Sequence, residues 1–318
     1  MYTAGAHYRV PANPIPMSVK TPAVPNRKQK PLLPYLLILP TLVFVALFTA
    51  WPTLLAIYES FFRQRLNIAR FREPSFIGLQ NYATLFTDDR FHQVVNNTLI
   101  YALGTVPISI VLGFLFALLV NRSLKGIGWA RLAFFHPALL PMVSAATVWK
   151  FFFTPDYGLF NSTIRFLGYH GAENWTGNPS LALLAIMLVA MWKNAGYYML
   201  FYLAGLQNLP TDVYEAAALD GANGWQTLWR ITFPLLRRTT VFISTIAFID
   251  AFRTVDHIFV LTSGGPSRAS TVLLYYLWQL RFENQDIGLS AALTVIFVAV
   301  LLVFTITNFV VSERAEES

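Results

Sequence analysis

The chain has 318 residues, of which 55% are hydrophobic and only 12% are charged. This charge content is about half that of ordinary soluble domains, which excludes a conventional water-soluble globular protein. The formal net charge of +7 requires no nucleic-acid partner, because tails and loops beside anionic lipid commonly carry such charge. Cysteine is absent from the chain, so cysteine usage says nothing about the redox compartment.

Six apolar runs are candidates for membrane-spanning helices. A helix needs roughly 20 mostly apolar residues to cross the hydrocarbon, and in lipid its backbone must satisfy its own polar groups. Five runs carry few or no charges, whereas one is interrupted by Asp250, Arg253 and Asp256. We therefore predict an all-α polytopic membrane protein with about six transmembrane helices, over residues 31–57, 91–121, 132–149, 174–210, 239–262 and 287–312.

The two ends of the chain are predicted to be cytoplasmic tails. Residues 1–31 are rich in proline, end in basic residues and lack the apolar core of a cleaved signal peptide, which predicts a disordered tail. A transmembrane domain would then occupy residues 32–312, followed by a short tail over 313–318. Six spans place both termini on one side, which holds twelve Lys and Arg against nine in the opposite loops. This bias favours cytoplasmic termini.

The loop over residues 209–234 carries helix signals without being hydrophobic enough to span a membrane. Thr211 and Asp212 are good N-cap residues, and Glu215 lies three residues beyond Asp212, as in a capping box. Alanines then favour helix, and Gly221 can end it because glycine accepts the left-handed conformation. From local chemistry alone, Glu215 is an ordinary capping residue.

A second short helix is expected over residues 223–233 of the same loop. It would place Trp225, Leu228, Trp229 and Thr232 on one face. Two short helices with a sharp bend would make a compact knob on the cytoplasmic surface. Such a knob can dock into a groove of a partner protein.

The spacing in this loop resembles the signature of binding-protein-dependent permeases. Glu-Ala-Ala at 215–217 is followed by Gly six, Ile sixteen and Pro nineteen residues after the glutamate. Phe233 stands where the pattern usually has leucine, which is one apolar residue for another. The resemblance implies that the residues that couple the permease to its ATPase are Glu215, Ala216, Ala217, Asp220, Gly221, Ile231 and Pro234.

Other segments extend the resemblance over residues 32–312. They are similar to the carbohydrate branch of these permeases, and two of them are most similar to the maltose F or glycerol-phosphate A type of subunit. These segments are 33–37, 51–52, 76–82, Trp-Lys-Asn-Ala-Gly at 192–196 and Leu-Thr-Ser-Gly-Gly-Pro at 261–266.

The resemblance implies a type I ABC importer in a bacterial inner membrane. Its partners would be a second homologous permease, two ATPase subunits and an extracytoplasmic substrate-binding protein. ATP and Mg would be held by the ATPases. The dipeptide Gly-Lys of a phosphate-binding loop never occurs in this chain. The chain would therefore hold no cofactor or metal and would not be an enzyme. The cargo would be an oligosaccharide, polyol, glycoside or glycerol phosphate. The alternative is a secondary transporter or channel for a small polar solute, which would have no ATPase-docking loop.

Ionisable and aromatic residues inside the spans indicate a substrate pathway. Charges within a membrane are costly and usually face the bundle interior or a cavity. Each charged position also has an alternative to a substrate role. The three charges of the fifth span could form an internal salt-bridge ladder, and Lys193 could be a helix-packing or gating residue. The predicted pathway residues are Trp192, Lys193, Asn194, Tyr197, Asp250, Arg253 and Asp256.

Two further loops have a functional and a simpler interpretation. The long loop over residues 58–90 could cover the mouth of the pathway or contact a soluble partner, or it could only connect a displaced helix. The turn at Gly264-Gly265-Pro266 is most simply a loop reversal, with a binding-protein contact as the alternative. The histidines are scattered without metal-ligand spacing, and no catalytic cluster is visible.

Overall fold

A computed structural model describes residues 32–122, 124–168 and 173–317. The predicted N-terminal tail over residues 1–31 lies outside the described residues. The chain divides after Trp51 into two compact units. In the first unit, α1 (Leu32–Val45) continues through one π-helical turn (Ala46–Ala50), with Pro40 tolerated inside α1.

Within the described part of the chain, four helices are long and apolar enough to cross a membrane. A fifth span is present if the two halves of a helix pair, whose axes turn by 101°, are counted as one. The broken pair is α5 (Ile127–Leu139) and α6 (Met142–Phe152). The four helices are Pro34–Glu59, α4 (Asp89–Val120), α8 (Pro179–Gln207) and the apolar part of α15, Ile287–Asn308.

The predicted span over residues 239–262 is broken into two helices, α12 (Arg237–Phe252) and α13 (Asp256–Leu261). The backbone leaves the helix between them, where Val255 has φ −146° and ψ −40°. The Thr254 hydroxyl lies 3.1 Å from the carbonyl of the residue four before it, an interaction that often bends helices. Neither half alone is long enough to cross a membrane.

The remaining elements are short, except for the last helix, which continues to Glu317, past the predicted boundary at residue 312. In chain order they are α2 (Trp51–Glu59), β1 (Phe62–Arg63), a 3-10 turn (Ala69–Phe71), β2 (Ser75–Phe76), α3 (Gln80–Thr87), α7 (Leu159–Phe166), α9 (Thr211–Leu219), α10 (Gly224–Thr227), a π-helical turn (Leu228–Thr232), α11 (Phe233–Leu235), α14 (Leu273–Trp278), a second such turn (Gln279–Glu283) and α15 (Ile287–Glu317).

The second unit is built around the helix pair α4 and α8, which pack together along their length. Small residues permit the close approach, as is usual between membrane helices. A Cβ added at Gly113 would lie 3.1 Å from the Ala195 carbonyl and 2.9 Å from the Tyr198 Cβ. The core around this pair contains fully buried tyrosines, including Tyr101 and Tyr202.

The long loop after α2 is a built structure that is fastened to the start of α15. Strands β1 and β2 pair in antiparallel register. The Asn81 amide donates to the carbonyls of Ser60 and Phe62 at 2.8 and 2.9 Å, and the Arg65 guanidinium pairs with Asp286 at 2.5 Å. The loop therefore does more than connect two helices, although its predicted role at the mouth of the pathway stays a prediction.

Hydrogen bonds join α4 to the turn that contains Gly264-Gly265-Pro266. The buried Asn97 amide donates to the carbonyls of Arg268 and Thr271 at 2.9 and 3.0 Å. Thr98 accepts from the Leu273 backbone N–H at 2.9 Å. The turn is thus held in place by side chains from a membrane-spanning helix.

Candidate functional site

A polar cavity of about 340 Å³ lies where α4, α6 and α8 meet the break between α12 and α13. Three of its walls come from single side chains of the first three helices, and the fourth is the unwound segment itself. The break turns five consecutive residues, 253–257, toward one space, which a continuous helix could not do. The lining residues are Tyr101, Met142, Asn194, Asp250, Arg253, Thr254, Val255, Asp256 and His257.

A buried hydrogen-bond network supports the cavity wall. The Tyr101 hydroxyl lies 3.2 Å from His257 Nε2 and 3.3 Å from the Thr254 hydroxyl. Tyr101 and His257 are 2% and 1% exposed, so their polar atoms have this network in place of water. The network ties α4 to the break at Thr254 and to α13 at His257.

The three charged residues of the broken span are open to the cavity and do not form the expected ladder. Among the described residues, no ion pair joins Asp250, Arg253 and Asp256. A ladder requires a continuous helix to bring residues three apart onto one face, and the helix ends at Phe252. The charges therefore remain available to a molecule in the cavity.

The predicted pathway residues on α8 separate into two groups. Asn194 lines the cavity, whereas Trp192, Lys193 and Tyr197 are not among its lining residues. The Lys193 ammonium contacts three backbone carbonyls at the end of α5. The Trp192 ring packs on Trp149, with ring centroids 5.5 Å apart.

Five lining residues were not predicted from the sequence. Tyr101 and His257 are separated by 156 residues along the chain, so no local pattern joins them. Met142 is an ordinary apolar residue of a span. Thr254 and Val255 lie between the predicted charges, and only an expected break in the helix would have included them.

The loop over residues 209–234 forms the predicted two-helix knob. Helix α9 ends in two reversed hydrogen bonds, from Gly221 N–H to the Ala218 carbonyl (3.2 Å) and from Ala222 N–H to the Ala217 carbonyl (3.0 Å). This is the Schellman arrangement, and Gly221 has the left-handed φ of +73° that it requires. The Glu215 side chain on α9 is exposed.

The start of α9 differs from the prediction. Its N-cap is Pro210, which has no side chain that can accept a hydrogen bond, and Thr211 is the first helical residue. Since Asp212 is already inside the helix, no capping box forms between it and Glu215. The explanation of Glu215 as an ordinary capping residue is therefore wrong.

The second knob helix begins with a true capping box between Asn223 and Gln226. It then widens into the π-helical turn, so the face predicted at helical spacing is split. Trp225 and Trp229 are exposed, whereas Thr232 is buried. Tyr214 on α9 and Thr232 share a hydrogen bond of 3.1 Å, which holds the two helices together.

The predicted coupling residues lie together on this knob with different exposures. Ala217 is buried and Ile231 is half-buried, as expected of residues that hold the knob to the rest of the chain. Five are exposed and could contact a partner: Glu215, Ala216, Asp220, Gly221 and Pro234.

Comparison with known proteins identifies the family. Residues 89–316 match the family described as binding-protein-dependent transport system inner membrane component. The chain is 33% identical to the sn-glycerol-3-phosphate transport system permease protein UgpA of Agrobacterium fabrum, over 87% of this chain and 94% of that protein. It is 34% identical to the trehalose/maltose transport system permease protein MalF of Thermococcus litoralis, over 86% and 90%.

A solved structure has the same fold. A chain of a bacterial ABC transporter involved in the import of the acidic polysaccharide alginate superimposes with a TM-score of 0.76 at 23% identity, over 89% of this chain and 95% of that one. The predicted permease fold and the predicted resemblance are both confirmed. The chain therefore belongs to the family of inner membrane components of binding-protein-dependent transport systems, and it is a membrane permease.

Proposed function

We propose that this permease carries a sugar or sugar-like substrate through the cavity at the broken span of an ATP-driven importer. The observation that carries the proposal is the set of polar side chains that line that cavity. Two carboxylates, a guanidinium and an amide face it from Asp250, Asp256, Arg253 and Asn194. Groups of this kind bind the hydroxyls of polyols by accepting and donating hydrogen bonds.

The charge of the lining favours a neutral substrate. Counted at their formal charges, two carboxylates and one guanidinium give the lining one net negative charge, which opposes a phosphate or sulfonate. Lys193 could have reversed the balance, but its ammonium is occupied by carbonyls. The names of similar permeases cover both kinds of cargo, since they include trehalose/maltose, glycerol phosphate and sulfoquinovosyl glycerol.

The knob would couple the cavity to ATP hydrolysis on separate subunits. Its two helices are joined by the Tyr214–Thr232 bond. Leu228 packs against the buried core between the long helices, so motion of the knob can reach them. The partners in this proposal are two ATPases that hold ATP and Mg, a second homologous permease and an extracytoplasmic substrate-binding protein. Both termini and the knob would then be cytoplasmic.

Co-purification tests this proposal. The chain is expressed with its candidate partners and isolated through a tag on the ATPase. We expect the native chain to be retained and to show hydrolysis stimulated by the binding protein, and Glu215→Ala and Gly221→Asp to lose it. Asp212→Ala is the matched control, because it removes another exposed carboxylate from the same helix.

Two results would contradict the proposal. Equal behaviour of the Glu215 and Asp212 variants would leave Glu215 without a role at the interface. If no ATPase is retained by the native chain, a secondary transporter becomes the leading explanation.

A further inference from the structure

The corner between α5 and α6 leaves backbone carbonyls without helical partners. Pro141 has no N–H, and Leu140 before it is extended, with φ −73° and ψ 137°. The Pro137 carbonyl accepts the Leu140 N–H at 3.3 Å, whereas the other carbonyls at this end of α5 need donors from elsewhere. In lipid no water supplies them, so they must be satisfied by the protein itself.

Lys193 on α8 supplies these donors. Its Nζ lies 3.3 Å from the Pro137 carbonyl, 3.0 Å from that of Ala138 and 2.6 Å from that of Leu140. An ammonium has three N–H donors, so the three carbonyls use all of them. No donor of Lys193 is left for a substrate.

The residues beside Lys193 contact both α5 and α6, the two helices that meet at this corner. A Cβ at Gly196, one turn along α8, would collide with the Phe134 carbonyl of α5, so only glycine permits this approach. Trp192 packs on Trp149 of α6 at 5.5 Å between ring centroids. The segment 192–196 thus touches α5, the corner and α6.

The corner also sets one wall of the cavity. Met142, the first residue of α6, lines it, and so does Asn194, the neighbour of Lys193. We propose that Lys193 is a positioning residue: its ammonium caps the carbonyls of Pro137, Ala138 and Leu140 at the end of α5, holds the 101° corner and thereby keeps the cavity wall in place. The effect on transport rests on the proposed function, whereas the effect on the corner does not.

Distance measurement between two spin labels tests the proposal. Because the chain has no cysteine, Leu132→Cys and Val148→Cys, at exposed positions eight residues on either side of Leu140, give a single labelled pair. Each arm is about 12 Å long at 1.5 Å per residue, so the sites lie about 15 Å apart around a 101° turn and would lie about 24 Å apart in a straight helix.

The measurement is made on the full chain, purified with the subunits that assemble with it. We expect Lys193→Met to lengthen or broaden the distance distribution and to lower the maximal uptake rate more than the substrate affinity. Lys193→Arg, which keeps a charged donor, should restore most of both. Lys150→Met is the matched control, because Lys150 donates to only one carbonyl, that of Val260, at 3.2 Å.

Each outcome decides between interpretations. If Lys193→Met loses substrate affinity while its distance distribution matches that of the native chain, Lys193 binds substrate and the proposal is overturned. The same holds if Lys193→Met and Lys150→Met give identical distances. If Lys193→Met does not fold, Lys193→Gln replaces it, because its amide offers two donors. Its label distance must then lie between that of the native chain and that of a straight helix. A shifted corner in a protein that transports no sugar would uphold this inference and remove the proposed function.

Discussion

Replacing Gly221 by alanine should weaken the proposed docking of the knob on an ATPase through backbone strain alone. Gly221 has φ +73°, and none of the described atoms lies within 4 Å of a Cβ built there. The left-handed conformation costs an L-residue roughly 1–2 kcal/mol. That cost corresponds to a factor of about 5–30 in the equilibrium between the bent knob and alternative conformations.

Titration of the purified permease with its ATPase measures the consequence. The apparent dissociation constant rises as the fraction of the docking-competent conformation falls, so we expect up to about a 5–30-fold increase for Gly221→Ala. The dissociation constant of Gly221→Asn should lie between those of the native chain and of Gly221→Ala, since asparagine tolerates this conformation better than other side chains. Since the strain comes from the φ angle, the dissociation constant should not depend on the size of the added group.

Gly224→Ala provides the matched control. Gly224 is the first residue of α10, its φ is not positive, and a Cβ there also meets no described atom within 4 Å. Alanine is favoured over glycine in a helix, so this variant should bind the ATPase as well as the native chain. If Gly221→Ala binds as tightly as Gly224→Ala, the left-handed turn is not needed for docking and the argument fails.

Three other predictions follow from individual contacts. Arg253→Gln and Asp250→Asn should each raise the half-saturating substrate concentration about 10- to 150-fold, because a hydrogen bond to a charged group contributes about 1.5–3 kcal/mol; unchanged uptake kinetics in both would remove them from the pathway. Asn97→Ala should lower the unfolding temperature in a thermal melt, since it removes the donor of a buried bond to Thr271 and of a part-buried bond to Arg268, whereas Gln93→Ala, which loses one exposed bond of 3.3 Å, should melt like the native protein. Tyr214→Phe should weaken ATPase binding by about 1 kcal/mol, roughly fivefold, and full affinity would show that the two knob helices need no hydrogen bond between them.

Composition and apolar runs were sufficient to predict the spans that are straight. Four of the six runs correspond to helices that meet the length and hydrophobicity of a membrane span. The run over residues 132–149 contains Pro137 and Pro141, so its break could have been predicted from proline chemistry. The break at Arg253–Val255 has no proline or glycine, and it depends on tertiary contacts such as that of Tyr101 with Thr254.

The candidate site was only partly predictable for the same reason. Asp250, Arg253 and Asp256 were predicted because a charge inside a membrane span is costly and usually has a functional role. Whether a buried cation contacts a substrate or a backbone carbonyl depends on which segment of the chain lies opposite it. The carbonyls that Lys193 contacts belong to residues more than 50 positions away along the chain. Sequence spacing located the knob, whereas the π-helical turn that splits its second face has no local signal.

Uptake into proteoliposomes tests the central claim most directly. The permease and its partners are reconstituted with labelled maltose, trehalose or glycerol phosphate and the matching binding protein outside, and with ATP or an ion gradient as the only energy source. We expect uptake that requires ATP inside the vesicles and the binding protein outside, and that prefers neutral sugars to anionic ones. Uptake driven by an ion gradient without ATP would contradict it.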